Sequence, residues 1–153
     1  MRFPYLPGHV RAPIPSLSGS LVRPRPVYAV RIAGPSQVRL IDGLLDTGSD
    51  DTVFEEAVAE SIGIDLDNAA ERQVGLVGRT QPVRCRYAQV ELCLTDGLSE
   101  TYVWSAIVGF VSSKLRYALL GYAGFLQFFD VEFRGGDQEV RLTPNATYPG
   151  VVT

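Results

Sequence analysis

The chain has 153 residues, 46% hydrophobic and 20% charged, with a net charge of -3. That length and balance give one domain with a sizeable core and exclude a disordered chain. No cluster of Lys or Arg forms a basic stripe, which argues against nucleic acid as a partner, and no apolar run approaches the ~20 residues of a membrane span.

Residues 1–26 hold six of the ten prolines and read as an extended, loosely attached arm. The opening MRFPYLPGHV has no apolar run of signal-peptide type. From Val27 the texture changes. VYAVRIA and VRLIDGLL are rich in β-branched and apolar residues, and Gly34-Pro35-Ser36 separates them, so two strands joined by a turn are expected. Thr52 followed by Glu55 has the form of a capping box, which predicts a helix from there to a stop at Gly63.

QVGLVGRTQPVRCRYAQVELCL predicts two strands about a glycine-bearing tip, Gly75 to Gly78. TYVWSAIVGF is a further strand, with Trp104 half-buried on it, and Arg84 and Arg86 read as a solvated strand face. FDVEF and QEVRLT follow as final strands about Gly135-Gly136-Asp137, and residues 144–153 read as a tail. The result is a mainly β domain over 27–143 with one or two short helices.

Cys85 and Cys93 lie eight apart on one predicted strand, about 26 Å at ~3.3 Å per residue, too far to bridge. Two reduced thiols fit a cytoplasmic protein. One histidine, His9, and two cysteines make no metal site, and His9 in the arm is poorly placed as a catalytic base. No metal or other cofactor is expected.

The stretch LLDTGSDDTVF, Leu44 to Phe54, carries the chemistry. Asp46 ends an apolar strand, which fixes the direction of its carboxylate. Gly48 permits close approach of backbone or ligand, and Thr47 and Ser49 offer orienting hydroxyls. One carboxylate is half of an acid–base pair, and the chain has no second Asp-Thr-Gly. Thr95-Asp96-Gly97 has the wrong order and reads as a turn. Two-fold symmetry would supply the second, setting Asp46 of one chain against Asp46 of another.

Leu44-Leu45-Asp46-Thr47-Gly48-Ser49-Asp50-Asp51-Thr52-Val53 resembles the active-site loop of the retropepsins, the single-domain aspartic proteases of retroviruses and their cellular relatives. The resemblance covers roughly 27–143. Val74 to Thr80 matches the flap, Val83 to Glu91 the strand descending from it, Ala118-Leu119-Leu120-Gly121 the second apolar-apolar-Gly signature, and Ala123 to Phe128 the family's short helix after it. It implies a closed acid-protease β-barrel active as a homodimer on peptide substrates. Asp46 would be the catalytic aspartate, and Thr47 would tie the two loops together. Gly48 would meet substrate backbone, and Ser49 the outer carboxylate oxygen. Asp50 and Asp51 would border an extended peptide, with Gly75, Val77 and Gly78 closing over it. Leu44, Val77 and Ile107 would form apolar subsites. Two departures stand out. Tyr122 occupies the position where many retroviral members carry an Arg that pairs with an aspartate of the loop, and the proline-rich arm and the tail exceed the family's short termini. A peptide-binding module without catalysis, and an unrelated small barrel that imitates the loop, are the alternatives.

Overall fold

The computed structural model describes residues 1–98 and 100–153. The chain is mostly β. The N-terminal segment is ordered into three strands, where a loose arm is expected from its prolines. β1 (Arg2–Pro4) joins a sheet, and β2 (Leu6–Ile14) and β3 (Ser20–Arg25) form a two-stranded ribbon turned by Ser18 and Gly19 at positive φ. Proline is tolerated here because β1 is a sheet edge and the ribbon has no third strand to pair with.

β4 (Val27–Ala33) and β5 (Val38–Leu45) follow as expected, paired antiparallel from Val27↔Leu44 to Ala33↔Val38. The next element differs from expectation. Residues Val53–Glu55 form a strand, β6, and the helix α1 spans only Glu56–Ser61. Thr52 does not cap it. Thr52 is buried, and its backbone N–H donates to the Ala123 carbonyl while its own carbonyl accepts from Gly109 N–H. Glu55 is spent on the N–H of Leu115, at 2.7 Å. As a strand, 53–55 finds partners on both sides and buries Val53 and Phe54, which a helix starting at 52 would forgo. Gly63 does end the helix, at φ +80.

β7 (Ala70–Val74) and β8 (Val83–Thr95) make the expected hairpin. β8 then pairs along its length with β9 (Thr101–Val111), from Cys85↔Val111 to Thr95↔Thr101. The turn between them has Gly97 at φ +74; Ser99 lies outside the described residues. β10 is the short Ala118–Leu120. After it, Gly124 at φ +87 breaks the backbone, so the expected helix is only a 3-10 turn over Leu126–Phe128. β11 (Phe129–Arg134) and β12 (Glu139–Pro144) close the chain's last hairpin, and the tail returns as β13 (Val151–Val152) on the end of β9.

The hydrogen-bonded order is β13–β9–β6–β10–β5–β4–β8–β7, with β8 also paired to β9. From β9 the order therefore passes through β6, β10, β5, β4 and β8 and returns to β9. Inside lie Val30, Ile32, Phe54, Leu92, Val108, Phe110 and Leu120, all but sealed from solvent. Trp104, expected half-buried, is buried at 2% exposure, between Phe125 and Phe129 at 5.5 and 5.3 Å. Its indole N–H donates to the Gly124 carbonyl at 3.0 Å, which satisfies its polar edge. Cys85 and Cys93 are free thiols.

The terminal segments are docked onto the domain. β1 pairs with β12, Phe3 packs on Tyr28 with ring centroids 4.0 Å apart, and the Tyr28 hydroxyl donates to the Phe3 carbonyl at 2.9 Å. Burial pushes the Tyr28 hydroxyl far above its ordinary pKa, so it remains a donor throughout. Tyr28→Phe removes that donor while the β1–β12 ladder still serves the Phe3 carbonyl, and we expect a loss of about 0.5–1.5 kcal/mol in unfolding free energy. Urea titration with an unchanged midpoint would show that β1 is not held this way.

Candidate active site

Apolar alternation brings β5 into the core as far as Leu45, and the chain leaves the sheet at Asp46. The loop 46–52 does not hang free. Asp46 N–H donates to the Leu120 carbonyl at 3.2 Å, Tyr122 N–H to Ser49 at 2.9 Å, Ala123 N–H to Asp50 at 2.9 Å, and Thr52 N–H to Ala123 at 2.9 Å. Asp51 and Ala123 form a parallel bridge. Beneath the loop, β10 runs parallel to β5, Leu119 beside Leu44 and Leu120 beside Leu45, and pairs with β6 at Val53. Four backbone groups of the loop thus find partners within 120–123.

Gly121 is what lets the two segments approach. Its φ is ordinary, so conformational freedom is not the reason for glycine there. Space is. A Cβ at 121 would run into the Asp51 carbonyl oxygen and come within 2.7 Å of the Ser49 oxygen.

Asp46 is half-buried, and its Oδ1 accepts the N–H of Gly48 at 3.0 Å. That bond points the carboxylate across the loop. Thr47 and Gly48 are exposed, and the Thr47 hydroxyl has no partner among the described residues. The Ser49 hydroxyl donates to the Asp51 carbonyl at 2.7 Å and makes no hydrogen bond to the Asp46 carboxylate among the described residues. Asp50 is exposed.

Asp51 has a partner that the sequence reading missed. The Tyr87 hydroxyl donates to Asp51 Oδ2 at 2.7 Å. Burial first, then the bonds to Asp51 and Cys85, push the Tyr87 pKa well up, so it stays protonated and donating. The Cys85 thiol is pushed up by burial, partly offset by its bond to Tyr87, and is therefore a poor nucleophile. Tyr122, which stands where the resemblance leads one to look for a partner to the loop's aspartates, is 63% exposed and only its backbone engages the loop. The available signal was period two on β8, which puts Cys85 and Tyr87 on the same face.

A groove of about 280 Å³ opens between the loop and the β7–β8 hairpin. Gly48, Ser49, Asp50 and Asp51 line one side, and Arg72, Gln73 and Gly75 are among those on the other. Asp46 lies beside this groove on the same loop. Arg72 and Gln73 were not singled out from the sequence. Val77 and Gly78 lie beyond it at the hairpin tip, with Val77 fully exposed and Gly78 at φ +83. Leu44 and Ile107 do not line it either. Arg86, expected on a solvated face, is half-buried and binds Glu56 and the Leu66 carbonyl. Among the described residues no His, Cys, Asp and Glu cluster is arranged to hold a metal, and no helix is long and apolar enough to cross a membrane.

No protein-family model matches the chain, and no curated protein matches it. Among solved structures it is similar to one described as EIAV protease complexed with the inhibitor HBY-793. The identity is 20%, over 63% of this chain and 81% of that one, with a TM-score of 0.43. A likeness that loose decides nothing about activity; the residues of the 46–52 loop carry that question.

Gly121→Ala tests the clasp. The added methyl must displace Asp51 or the 118–123 segment, and we expect about 1–3 kcal/mol of destabilisation. Amide exchange should rise first at residues 49–52 and 122–123. Unaltered exchange there would mean that the close approach does not hold the loop.

Proposed function

We propose that the chain is an aspartic endopeptidase of retropepsin type, a closed β-barrel that works as a homodimer with Asp46 of each copy at the two-fold axis. The observation that carries this reading is the Asp46 carboxylate, oriented by Gly48 N–H at the exposed turn of a loop whose other side is clasped by 120–123. The bond from Gly48 is one that any turn aspartate makes; the clasp by 120–123 is the support that a plain turn does not need. The exposed Thr47, with no partner among the described residues, has the placement a residue would need to bond the same loop of a second copy. The strand order that returns from β8 to β9 is what a closed barrel requires.

The mechanism follows from two carboxylates held close together. Like charges at that distance do not both ionise readily, so the pair shares one proton. Water sits between them. The ionised carboxylate takes a proton from the water as its oxygen bonds to the peptide carbonyl carbon. The protonated carboxyl donates to the carbonyl oxygen. The tetrahedral intermediate then collapses, the C–N bond breaks, and the leaving amine receives a proton from the pair. The substrate is an extended segment of polypeptide. It lies along the groove between the loop and the β7–β8 hairpin, where Gly48 and Gly75 admit its backbone and Asp50 and Asp51 border it. Tyr87 holds the Asp51 carboxylate in place from below. The hairpin tip, with Val77 and Gly78, acts as the flap.

Asp46→Asn should abolish cleavage of an apolar-flanked peptide while leaving the circular dichroism spectrum and urea midpoint unchanged, because an amide cannot take the proton from water. Residual turnover near wild type would end the proposal. Because each chain supplies one Asp46, specific activity should fall on dilution below the dimer dissociation constant. Sedimentation and activity measured over one concentration series check this, and constant specific activity from a monomer is the contrary result.

A further inference from the structure

The charges of this chain are divided along its length. The first 41 residues carry six arginines and no Asp or Glu, so all seventeen acidic residues lie beyond them. Three of those arginines, Arg11, Arg23 and Arg25, are on the ribbon β2–β3, which pairs with no other strand among the described residues. None of the three has an ion-pair partner among the described residues. The register pairs Arg25 with Leu6 and Arg23 with Gly8, and alternation adds Leu21 to the same face. Leu6 and Leu21 are 40% and 51% exposed. A two-stranded ribbon with leucines and uncompensated arginines on one face is not stable packing for its own sake.

The complementary surface is on the same chain. A groove of about 520 Å³ runs beside α1, with Ile64 and Leu66 among its apolar lining. Of its carboxylates, Glu56 is taken by Arg86 and Glu55 by Leu115 N–H. Glu60, Asp65 and Asp67 are exposed and have no cationic partner among the described residues; Lys114 is the one further cation of the lining. Two unpaired arginines beside leucines, Arg23 and Arg25, with Arg11 further along the same ribbon, thus complement three unpaired carboxylates beside Ile64 and Leu66.

We infer that the β2–β3 ribbon of one copy docks in the acidic groove beside α1 of a second copy, and that the exchange is reciprocal across a two-fold axis. The nine residues of β2 reach about 30 Å, enough to cross to a neighbouring subunit. A second copy fits better than nucleic acid, because the ribbon offers only three free charges, two of them beside leucines, and the whole chain carries -3. Reciprocal exchange closes the assembly at two copies. This contact rests on the dimeric reading above and supplies that dimer with a seam built from the N-terminal segment.

Two charge-reversed chains test it by sedimentation. One carries Arg11→Glu, Arg23→Glu and Arg25→Glu; the other carries Glu60→Lys, Asp65→Lys and Asp67→Lys. Each alone should raise the dimer dissociation constant about tenfold or more, and high salt should weaken the wild type in the same direction. An equimolar mixture of the two should associate again, since each ribbon then meets a groove of opposite charge in both directions. The three-fold Arg→Gln variant, which adds no repulsion, should weaken association less, and urea midpoints check that every variant folds. A mixture no tighter than either variant alone overturns the contact. So does a wild-type dimer whose dissociation constant none of the variants alters, an outcome that leaves the dimeric peptidase reading standing. A monomeric wild type with concentration-independent activity overturns both.

Discussion

The backbone clasp between residues 46–52 and 120–123 is the constraint on which the rest of the site depends. A polar loop leaving a buried strand exposes a row of N–H and C=O groups, and each one facing inward costs free energy unless it is paired. Here the partner is a second stretch of irregular backbone, supplied by Tyr122 and Ala123 after β10. Two such segments can meet only where no side chain intervenes, and Gly121 is that place. Leu120, fully buried, anchors the clasp from below, and its side chain lies where a Cβ on Gly43 would otherwise sit. The second contact reinforces the first, because Gly43 lets the Leu120 side chain pack against the strand that delivers Asp46.

That arrangement also explains why the stretch after the loop is a strand. Thr52 is bonded to Ala123 on one side and Gly109 on the other, so the chain leaves the loop already extended. Val53 and Phe54 then fill the space between β9 and β10, and the helix is deferred to Glu56. Local capping propensity, worth about 1 kcal/mol, loses to two-sided strand pairing and the burial of two large side chains. The groove-side pair Tyr87–Asp51 belongs to the same logic: with β8 packed over Val53, the Tyr87 hydroxyl that β8 presents reaches Asp51 Oδ2.

Much of this was legible beforehand. The strand pairs 27–33 with 38–45 and 129–134 with 139–144, the hairpin about Gly75 to Gly78, and the helix stop at Gly63 follow from alternation and turn chemistry, both of which act over a few residues. The loop Asp46 to Asp51 stood out because its order is unusual for a turn. Illegible were features that depend on distant partners. Trp104 is sealed because Phe125, Phe129 and Tyr148 come round to cover it. The terminal segments are docked because β12 and β9 offer free edges, a fact invisible in a run of prolines. Tyr87 meets Asp51 across 36 residues, and the Ser49 hydroxyl takes the nearer Asp51 carbonyl.

By itself, then, the amino-acid sequence determined a mainly β chain, the extent of strands such as β4, β5, β9 and β11, and the loop on which the proposed chemistry rests. Those properties come from the period of apolar residues and from glycine and proline, which act locally. Only the tertiary structure decided which groups face one another: Tyr87 with Asp51, the 46–52 loop with residues 120–123, and β2 with β3 as a ribbon left without a third strand. The reason is that a side chain carries its hydrogen-bonding capacity in its own formula but acquires its partner only when the sheet brings remote residues within ~3 Å.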